Sequence, residues 1–385
     1  MKKIPYATQN IDDDDVRSVA EALKSVYLTQ GPRVADFERA VAEYCEAKYA
    51  VAVNSGTSAL HLACLAADIG KGDEAITSPN TFVASSNCVL YAGGKPVFAD
   101  ILADNAVINP ADIEKKITKR TKAVIPVDFA GHPADMKEIK RIARKNGLIV
   151  IEDAAHALGA KYQGTMVGSG KYADMTTLSF HAVKHITTGE GGMVVTNNKK
   201  LYKKLMMFRS HGISRDPKMF NRERGAWYYE MSELGYNYRL TDLQCALGIS
   251  QLKKLPAFLK KRRLIVQRYD DFFAKSGYAM PLAVRPHIEH AYHIYVIRLK
   301  SDKLRASRKV IFDEFRKAGI IVNVHYIPVY YQPYYRKMGY RKGLCPRAEK
   351  YYDEAITLPL HPGLSSKDLD RIISVAEAIF NKYGK

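Results

Sequence analysis

Cysteine is scarce and scattered in this chain: Cys45, Cys64, Cys88, Cys245 and Cys345 are its five in 385 residues. The number is odd and no CxxC spacing occurs. That argues against a disulfide framework or a cysteine-held metal site and fits reduced thiols in a cytosolic protein. Long apolar runs are missing too. No stretch reaches the roughly 20 residues that a bilayer-spanning helix needs. The opening Met1-Lys2-Lys3-Ile4-Pro5-Tyr6, with Asp12 to Asp15 soon after, lacks the layout of a secretory leader. The expectation is a soluble, cytoplasmic protein with no membrane partner. Internal repeats and low-complexity segments are also absent, which leaves ordinary globular domains. Acidic residues are the remaining shortage, 40 Asp and Glu against 59 Lys and Arg, for a formal net charge of +19. Such a surplus suits nucleic acid, an acidic membrane surface or an anionic substrate. The cations, however, are spread in short clusters such as Lys140–Lys145 and Lys199–Lys204, with no basic tail and no zinc-ligand spacing. Chemistry on an anionic small molecule is therefore expected, and no nucleic-acid partner.

What is present reads as an α/β protein. Hydrophobic content of 47% and charged content of 26% are ordinary for a globular chain, and the length suggests about two domains. Asp12–Ser25 starts acidic and carries Val16, Val19, Ala20 and Leu23 at helical spacing, and a second amphipathic helix is predicted over Val34–Lys48. From Tyr49 short apolar strands (Tyr49–Val53, Glu74–Ser78, Pro96–Ala99, Ala123–Val127, Leu148–Glu152) alternate with helices (Thr57–Ala67, Phe82–Tyr91, Pro110–Ile117, Ala134–Asn146). Apolar strands separated by helices predict a mostly parallel sheet with covered faces. A helix is expected over Leu201–Arg209, then a long aromatic-rich irregular stretch, Ser210–Tyr238, of the kind that is functional or lies at an interface. Helices are predicted over Thr241–Leu252 and Pro256–Ala274, with a domain boundary near Gly248. The division is thus 1–248 for a large domain and 249–385 for a small α+β one. In the latter, Ala291–Leu299 and Ile320–His325 read as β-prone, and Ser307–Ala318, Arg347–Ala355 and Lys367–Tyr383 as helices.

Three points along the sheet bear chemistry. Asn54-Ser55-Gly56-Thr57-Ser58 follows a strand and opens a helix, so its free N–H groups can take a phosphate, or its hydroxyls can simply cap the helix. Asp153 ends the run Ile149–Glu152, where the carboxyl ends of parallel strands line a ligand crevice. Its carboxylate could pair with a cationic ring nitrogen, with His156 presenting a flat face to that ring, or it could cap a following helix. The third point is Lys184, set between two β-prone segments, Met175–Phe180 and Met193–Thr196, with Gly189, Gly191 and Gly192 permitting the reversal. A lysine so placed can be an ordinary surface lysine on a loop, or it can be partly desolvated, which lowers its amine pKa towards neutrality, as a lysine that captures an aldehyde requires. With Ser179 five residues before it, the set offers a phosphate clamp, a pyridinium partner and an aldehyde-capturing amine. Those are the groups that pyridoxal 5'-phosphate needs.

The motifs SGTSAL (55–60), TFVAS (81–85), IEDAAHALGA (151–160), SFHxxK (179–184) with TTGEGG (187–192), and GYNYRLTDLQCALG (235–248) resemble the sugar-nucleotide aminotransferases of the DegT–StrS type. The resemblance covers nearly the whole chain. It implies the fold type I architecture of aspartate aminotransferase, and a homodimer with its active sites at the interface. It implies Lys184 as the lysine joined to the cofactor and Asp153 as the ring-nitrogen partner. His156 would stack on the ring with Phe82 nearby, and Ser55, Gly56, Thr57 and Ser179 would hold the phosphate. Asn237 would reach the phosphate of the partner subunit's cofactor. No metal is implied. The chain carries Ala182 where relatives often have proline, a backbone feature. It keeps the lysine, unlike the sugar dehydratase branch, which has histidine there.

Within the family, residues 4–15, 23–32, 127–136 and 324–335 are most similar to the pseudaminic-acid branch. That implies L-glutamate as amino donor and C4 of UDP-2-acetamido-2,6-dideoxy-β-L-arabino-hexos-4-ulose as acceptor. Tyr6, Lys24, Thr29, Arg239 and Tyr326 are the residues expected to contact the nucleotide sugar. The alternatives are another nucleotide-linked 4-keto-sugar (perosamine, bacillosamine or amino-arabinose type) and a regulatory homologue that binds the cofactor without turnover.

Overall fold

The alternation over residues 49–196 builds one seven-stranded sheet. The strands are β1 (Tyr49–Val53), β2 (Glu74–Thr77), β3 (Lys95–Phe98), β4 (Thr121–Ile125) and β5 (Ile149–Asp153), then, past the two-residue β6 (Lys161–Tyr162) and β7 (Thr165–Met166), β8 (Met175–Ser179) and β9 (Gly192–Thr196). Their order is β1-β9-β8-β5-β4-β2-β3. Pairing is parallel from β8 through β5, β4 and β2 to β3, while β9 runs antiparallel to both its neighbours. The computed structural model describes residues 3–214, 220 and 225–385.

Alternate residues of each strand feed different cores. Val51, Val53, Ala123, Ile125 and Val194 pack with α3 (Gly56–Ala66) and α4 (Ala84–Tyr91), and with Leu201 and Leu205 of α7 (Lys199–Arg209). On the other face, Ala50, Ala52, Met193 and Val195 pack on Phe37 and Val41 of α2 (Pro32–Tyr44), which follows α1 (Asp13–Leu23). Ile76, Val124 and Val150 pack on α5 (Pro110–Lys116) and α6 (Met136–Lys145). Both faces are covered, which is why these strands read as apolar runs without polar alternation.

The two helices expected over Thr241–Leu252 and Pro256–Ala274 are one, α8 (Asp242–Ser276), 35 residues long with Pro256 inside it. Thr241 and Gln244 form a capping box at its start. Pro256 lies on the exposed side, where water can satisfy the carbonyl that a proline leaves without a donor. Gly248 sits within this helix, and a side chain there would meet the Phe37 ring at 2.6 Å. Upstream, Leu252, Leu255 and Leu259 pack with Phe37, whereas Ile265, Val266, Tyr269 and Phe273 pack with the C-terminal sheet.

That sheet has the order β12 (Ala279–Pro281), β14 (Tyr295–Leu299), β15 (Ala355–Leu358). Strands β10 (Ile213–Ser214) and β11 (Glu230–Met231) pair within the long aromatic segment, part of which, residues 215–219 and 221–224, lies outside the described residues. The short β13 (Ile288–Glu289) pairs with β6. Ile320–His325, expected as a strand, makes only isolated bridges, Ile4 to Ile320 and Asn323 to Thr357. The ladder position beside β14 is taken by β15, an apolar Ala-Ile-Thr-Leu run that sequence periodicity did not separate from the preceding helix. Around the sheet stand α9 (Arg308–Lys317), α10 (Pro333–Lys337), α11 (Pro346–Glu354) and α12 (Ser366–Tyr383). Val329, Tyr330, Tyr335 and Tyr351 leave this unit to join the core under β2, β4 and β5. No helix among the described residues is long and apolar enough to cross a membrane.

Candidate active site

The parallel strands deliver their carboxyl ends to a cavity of about 630 Å³ between the sheet and the C-terminal unit. Asp153, the last residue of β5, is buried there. Ala155 N–H donates to its Oδ1 at 3.2 Å, and Ser85 Oγ donates to its Oδ2 at 2.6 Å. Burial pushes its pKa up, while the Ser85 and Ala155 donors and the Lys184 charge pull it down. The next regular element is the two-residue β6, so Asp153 caps no helix.

Lys184 stands in the connection between β8 and β9, a turn closed by Lys184 N–H on the His181 carbonyl at 2.9 Å and Thr188 N–H on the Phe180 carbonyl at 2.9 Å. Its amine has no hydrogen bond or ion pair among the described residues. Desolvation pushes its pKa down to about 8, opposed by the Asp153 carboxylate.

The start of α3 forms a third side. Ser55 is its N-cap, accepting from Ser58 N–H at 3.0 Å, and Ser55, Gly56 and Thr57 line the cavity. The helix begins hard against the strands. A side chain at Gly192 would meet the Ser55 carbonyl at 2.4 Å, and one at Gly56 would meet Ser179 Cβ at 3.0 Å. Only glycine lets the first N–H groups of α3, which have no intrahelical partner, come to the ends of β1 and β8. The Ser55 cap and the free N–H groups at the start of α3 thus stand together at the cavity.

The opposite wall comes from elsewhere. His156 Nε2 lies 3.3 Å from Tyr326 Oη, its ring centroid is 4.3 Å from that of His293, and its buried Nδ1 has no partner. His325 Nδ1 meets Thr357 Oγ1 at 2.8 Å, and the Tyr6 ring lies 5.6 Å away. Burial drives His156 and His293 far below the ordinary histidine pKa and His325 down to about 3, so all three imidazoles are neutral. Phe82, 59% exposed, precedes α4 and projects beside Tyr326, their ring centroids 6.5 Å apart.

Tyr6, Ser55, Gly56, Thr57, Phe82, Asp153, His156, Ser179, Lys184 and Tyr326 all line this one cavity. Lys24, Thr29, Asn237 and Arg239 do not. Lys24 caps α1, Thr29 bridges to Thr241, and Asn237 bridges to Ser210. Sequence reasoning did not single out Ser85, His293 or His325, which also line the cavity. Ser85 was within reach, since it closes the TFVAS segment, but nothing local ties the others to the cavity. Among the described residues no group of three or more His, Cys, Asp or Glu is arranged to hold a metal ion.

The donor set fits pyridoxal phosphate. A carboxylate on two fixed donors, an unpaired low-pKa amine, a neutral ring with an orphaned nitrogen and a helix start free of side-chain bulk surround one volume sized for a small ligand. With the seven-stranded sheet beneath it, this defines a fold type I, pyridoxal-phosphate-dependent transferase. Residues 9–377 match the model of the DegT/DnrJ/EryC1/StrS aminotransferase family, to which the chain belongs. It is 40% identical over 387 residues to the UDP-4-amino-4,6-dideoxy-N-acetyl-beta-L-altrosamine transaminase of Campylobacter jejuni serotype O:23/36, covering 99% of each chain. It is also 40% identical, over 378 residues, to the spore coat polysaccharide biosynthesis protein SpsC of Bacillus subtilis, covering 98% of this chain and 97% of the other. Among solved structures, Helicobacter pylori PseC, an aminotransferase of pseudaminic acid biosynthesis, superposes with a TM-score of 0.91 at 35% identity, covering 99% of this chain and 100% of that one.

Proposed function

We propose that the chain transfers the amino group of L-glutamate to C4 of UDP-2-acetamido-2,6-dideoxy-β-L-arabino-hexos-4-ulose, giving UDP-4-amino-4,6-dideoxy-N-acetyl-β-L-altrosamine, in the cytoplasm. The observation that carries this reading is the end-to-end likeness to the Campylobacter transaminase, set on a cavity with the groups the chemistry needs. Pyridoxal phosphate, when bound, supplies an electron sink for the carbanion that transamination passes through. The protein's residues do the rest. Lys184 Nζ, with its pKa near 8, can give and take a proton at neutral pH. Asp153 would accept from a protonated ring nitrogen, the N–H groups at the start of α3 would hold the phosphate, and His156 would offer a neutral flat face to the ring. Tyr6 and Tyr326, which line the cavity, are assigned to the sugar nucleotide.

The reading includes a large unit, 1–248, a small unit, 249–385, and a homodimer. Asn237, which does not line its own chain's cavity, is assigned to that of the second copy, whereas Lys24, Thr29 and Arg239, expected at the nucleotide sugar, do not line this cavity either. Mixing Lys184→Ala with Asn237→Asp subunits tests this. A mixed dimer then has one site with both lesions and one with neither, so activity returns to about half; no recovery after proven exchange excludes the shared site. The substrate is tested by incubating the enzyme and L-glutamate with a panel of nucleotide 4-keto-sugars and weighing the products. Amination of the L-arabino UDP-sugar above all others is expected. Preference for a perosamine, bacillosamine or amino-arabinose precursor would replace the sugar in this reading, and no amination of any would favour a regulatory homologue.

A further inference from the structure

Asp153 and Lys184 share a cavity and carry opposite charges, yet they form no ion pair. A buried carboxylate and a half-buried amine that line the same cavity attract each other. Two donors fix the carboxylate, Ala155 N–H at 3.2 Å and, at the shorter distance, Ser85 Oγ. This side chain is 1% exposed on the first turn of α4, and its Oγ lies 2.6 Å from Asp153 Oδ2. Thr81 Oγ1 lies 2.7 Å from the same Oγ. A hydroxyl has one proton. With that proton on the carboxylate at 2.6 Å and not on the more distant Phe82 carbonyl at 3.4 Å, Thr81 donates to Ser85, and the two hydroxyls form a one-way chain ending on Asp153. The segment that carries them is fixed from its far side. Tyr326 N–H donates to Asn80 Oδ1 at 3.0 Å, Val329 N–H donates to the Pro79 carbonyl at 3.0 Å, and Tyr335 Oη donates to Asn87 Oδ1 at 2.7 Å.

We propose that Ser85, backed by Thr81, is the positioning residue that keeps the Asp153 carboxylate apart from Lys184, so that the amine stays free to be deprotonated and the carboxylate stays aimed at the ring nitrogen. The second clause rests on the cofactor reading above; the first concerns the apoprotein alone. Ser85 also lines the cavity, so it is the dependence of its effect on the Asp153 carboxylate that marks it as a positioning residue.

The test compares wild type, Ser85→Ala, Ser85→Thr and Asp153→Asn. On apoprotein, the pH dependence of Lys184 acylation by an amine reagent, followed by peptide mass spectrometry, gives the amine's midpoint. Ser85→Ala is expected to move it upward by about one pH unit as Asp153 swings to the lysine. Ser85→Thr, which retains the hydroxyl, should restore the wild-type midpoint. In the holoenzyme Ser85→Ala should lower kcat about tenfold, the worth of one hydrogen bond to a charged group, and should do nothing further in an Asp153→Asn background. An unmoved midpoint in Ser85→Ala overturns the proposal, as does an equal loss of kcat with and without the Asp153 carboxylate. Failure of wild type to take up pyridoxal phosphate would instead overturn the cofactor reading, and leaves the apoprotein result to decide the role of Ser85. If Ser85→Ala does not fold, Thr81→Val removes the second donor of the chain and is expected to move the midpoint in the same direction, an unmoved one counting against the proposal.

Discussion

The two walls of the cavity handle charge in opposite ways. The sheet side holds Asp153 and Lys184, one acid and one base, whose protonation is adjustable because burial and mutual attraction work against each other. The C-terminal side holds His293, His325 and Tyr326, which burial locks in their neutral forms. A residue type that elsewhere senses pH near neutrality is here a fixed hydrogen-bonding surface. Proton chemistry thus belongs to the strand ends, and shape and polar contacts belong to the other wall.

Breaking the charged wall should cost most. Lys184→Ala is expected to remove the visible band of the bound cofactor and to lower turnover by at least about 10²–10⁴-fold, the range for losing a positioned proton carrier; absorption spectra and a coupled 2-oxoglutarate assay measure both. Asp153→Asn should retain cofactor yet slow turnover by at least about tenfold. Near-normal kinetics in that variant would mean that the carboxylate only braces the turn at Ala155. The neutral wall should respond more gently. His325→Gln keeps a polar neutral side chain facing Thr357, so a loss of about 2–10-fold is expected. Because His325, at about 3, does not titrate in the working range, the pH–rate profile should keep its shape, and a displaced limb between pH 5 and 8 would contradict the division.

The smallest effect is on apoprotein stability. The Lys184 amine falls from its ordinary 10.5 to about 8 on folding, so the unfolded chain binds that proton more tightly. The group's contribution is fully favourable only above pH 10.5, is lost as pH falls through 8 and is a constant penalty below. Lys184→Met apoprotein should therefore melt about a few degrees higher than wild-type apoprotein at pH 7, with the gap closing towards pH 10.5. Thermal scans across pH read this directly.

The sheet wall was legible because its residues stand at the ends of apolar strands, where local pattern locates them: Asp153 after Ile149–Glu152, Lys184 between two β-prone runs, Ser55 at a strand-to-helix turn. The other wall was not, because its placement depends on contacts remote in sequence. His293 is held by its own N–H on the Ala130 carbonyl and by Arg262 of α8 on its carbonyl at 3.0 Å; neither leaves a trace near residue 293. His325 lies in a segment that periodicity took for a strand, and only Thr357 and Tyr6 show why it is polar. Pro256 misled for the opposite reason. A local rule favoured a break, and packing of Leu252, Leu255 and Leu259 with Phe37 and Val41 of α2 carried the helix through.

The central claim, an amino group passed from glutamate to a keto-sugar through a lysine-held cofactor, is tested most directly in two additions to one cuvette. L-glutamate added to the holoenzyme, without sugar, should bleach the visible band with one equivalent of 2-oxoglutarate released. The L-arabino UDP-4-keto-sugar, added after glutamate is removed, should restore the band and yield one equivalent of amino sugar. A band indifferent to glutamate, or one restored with no aminated sugar formed, would contradict the account.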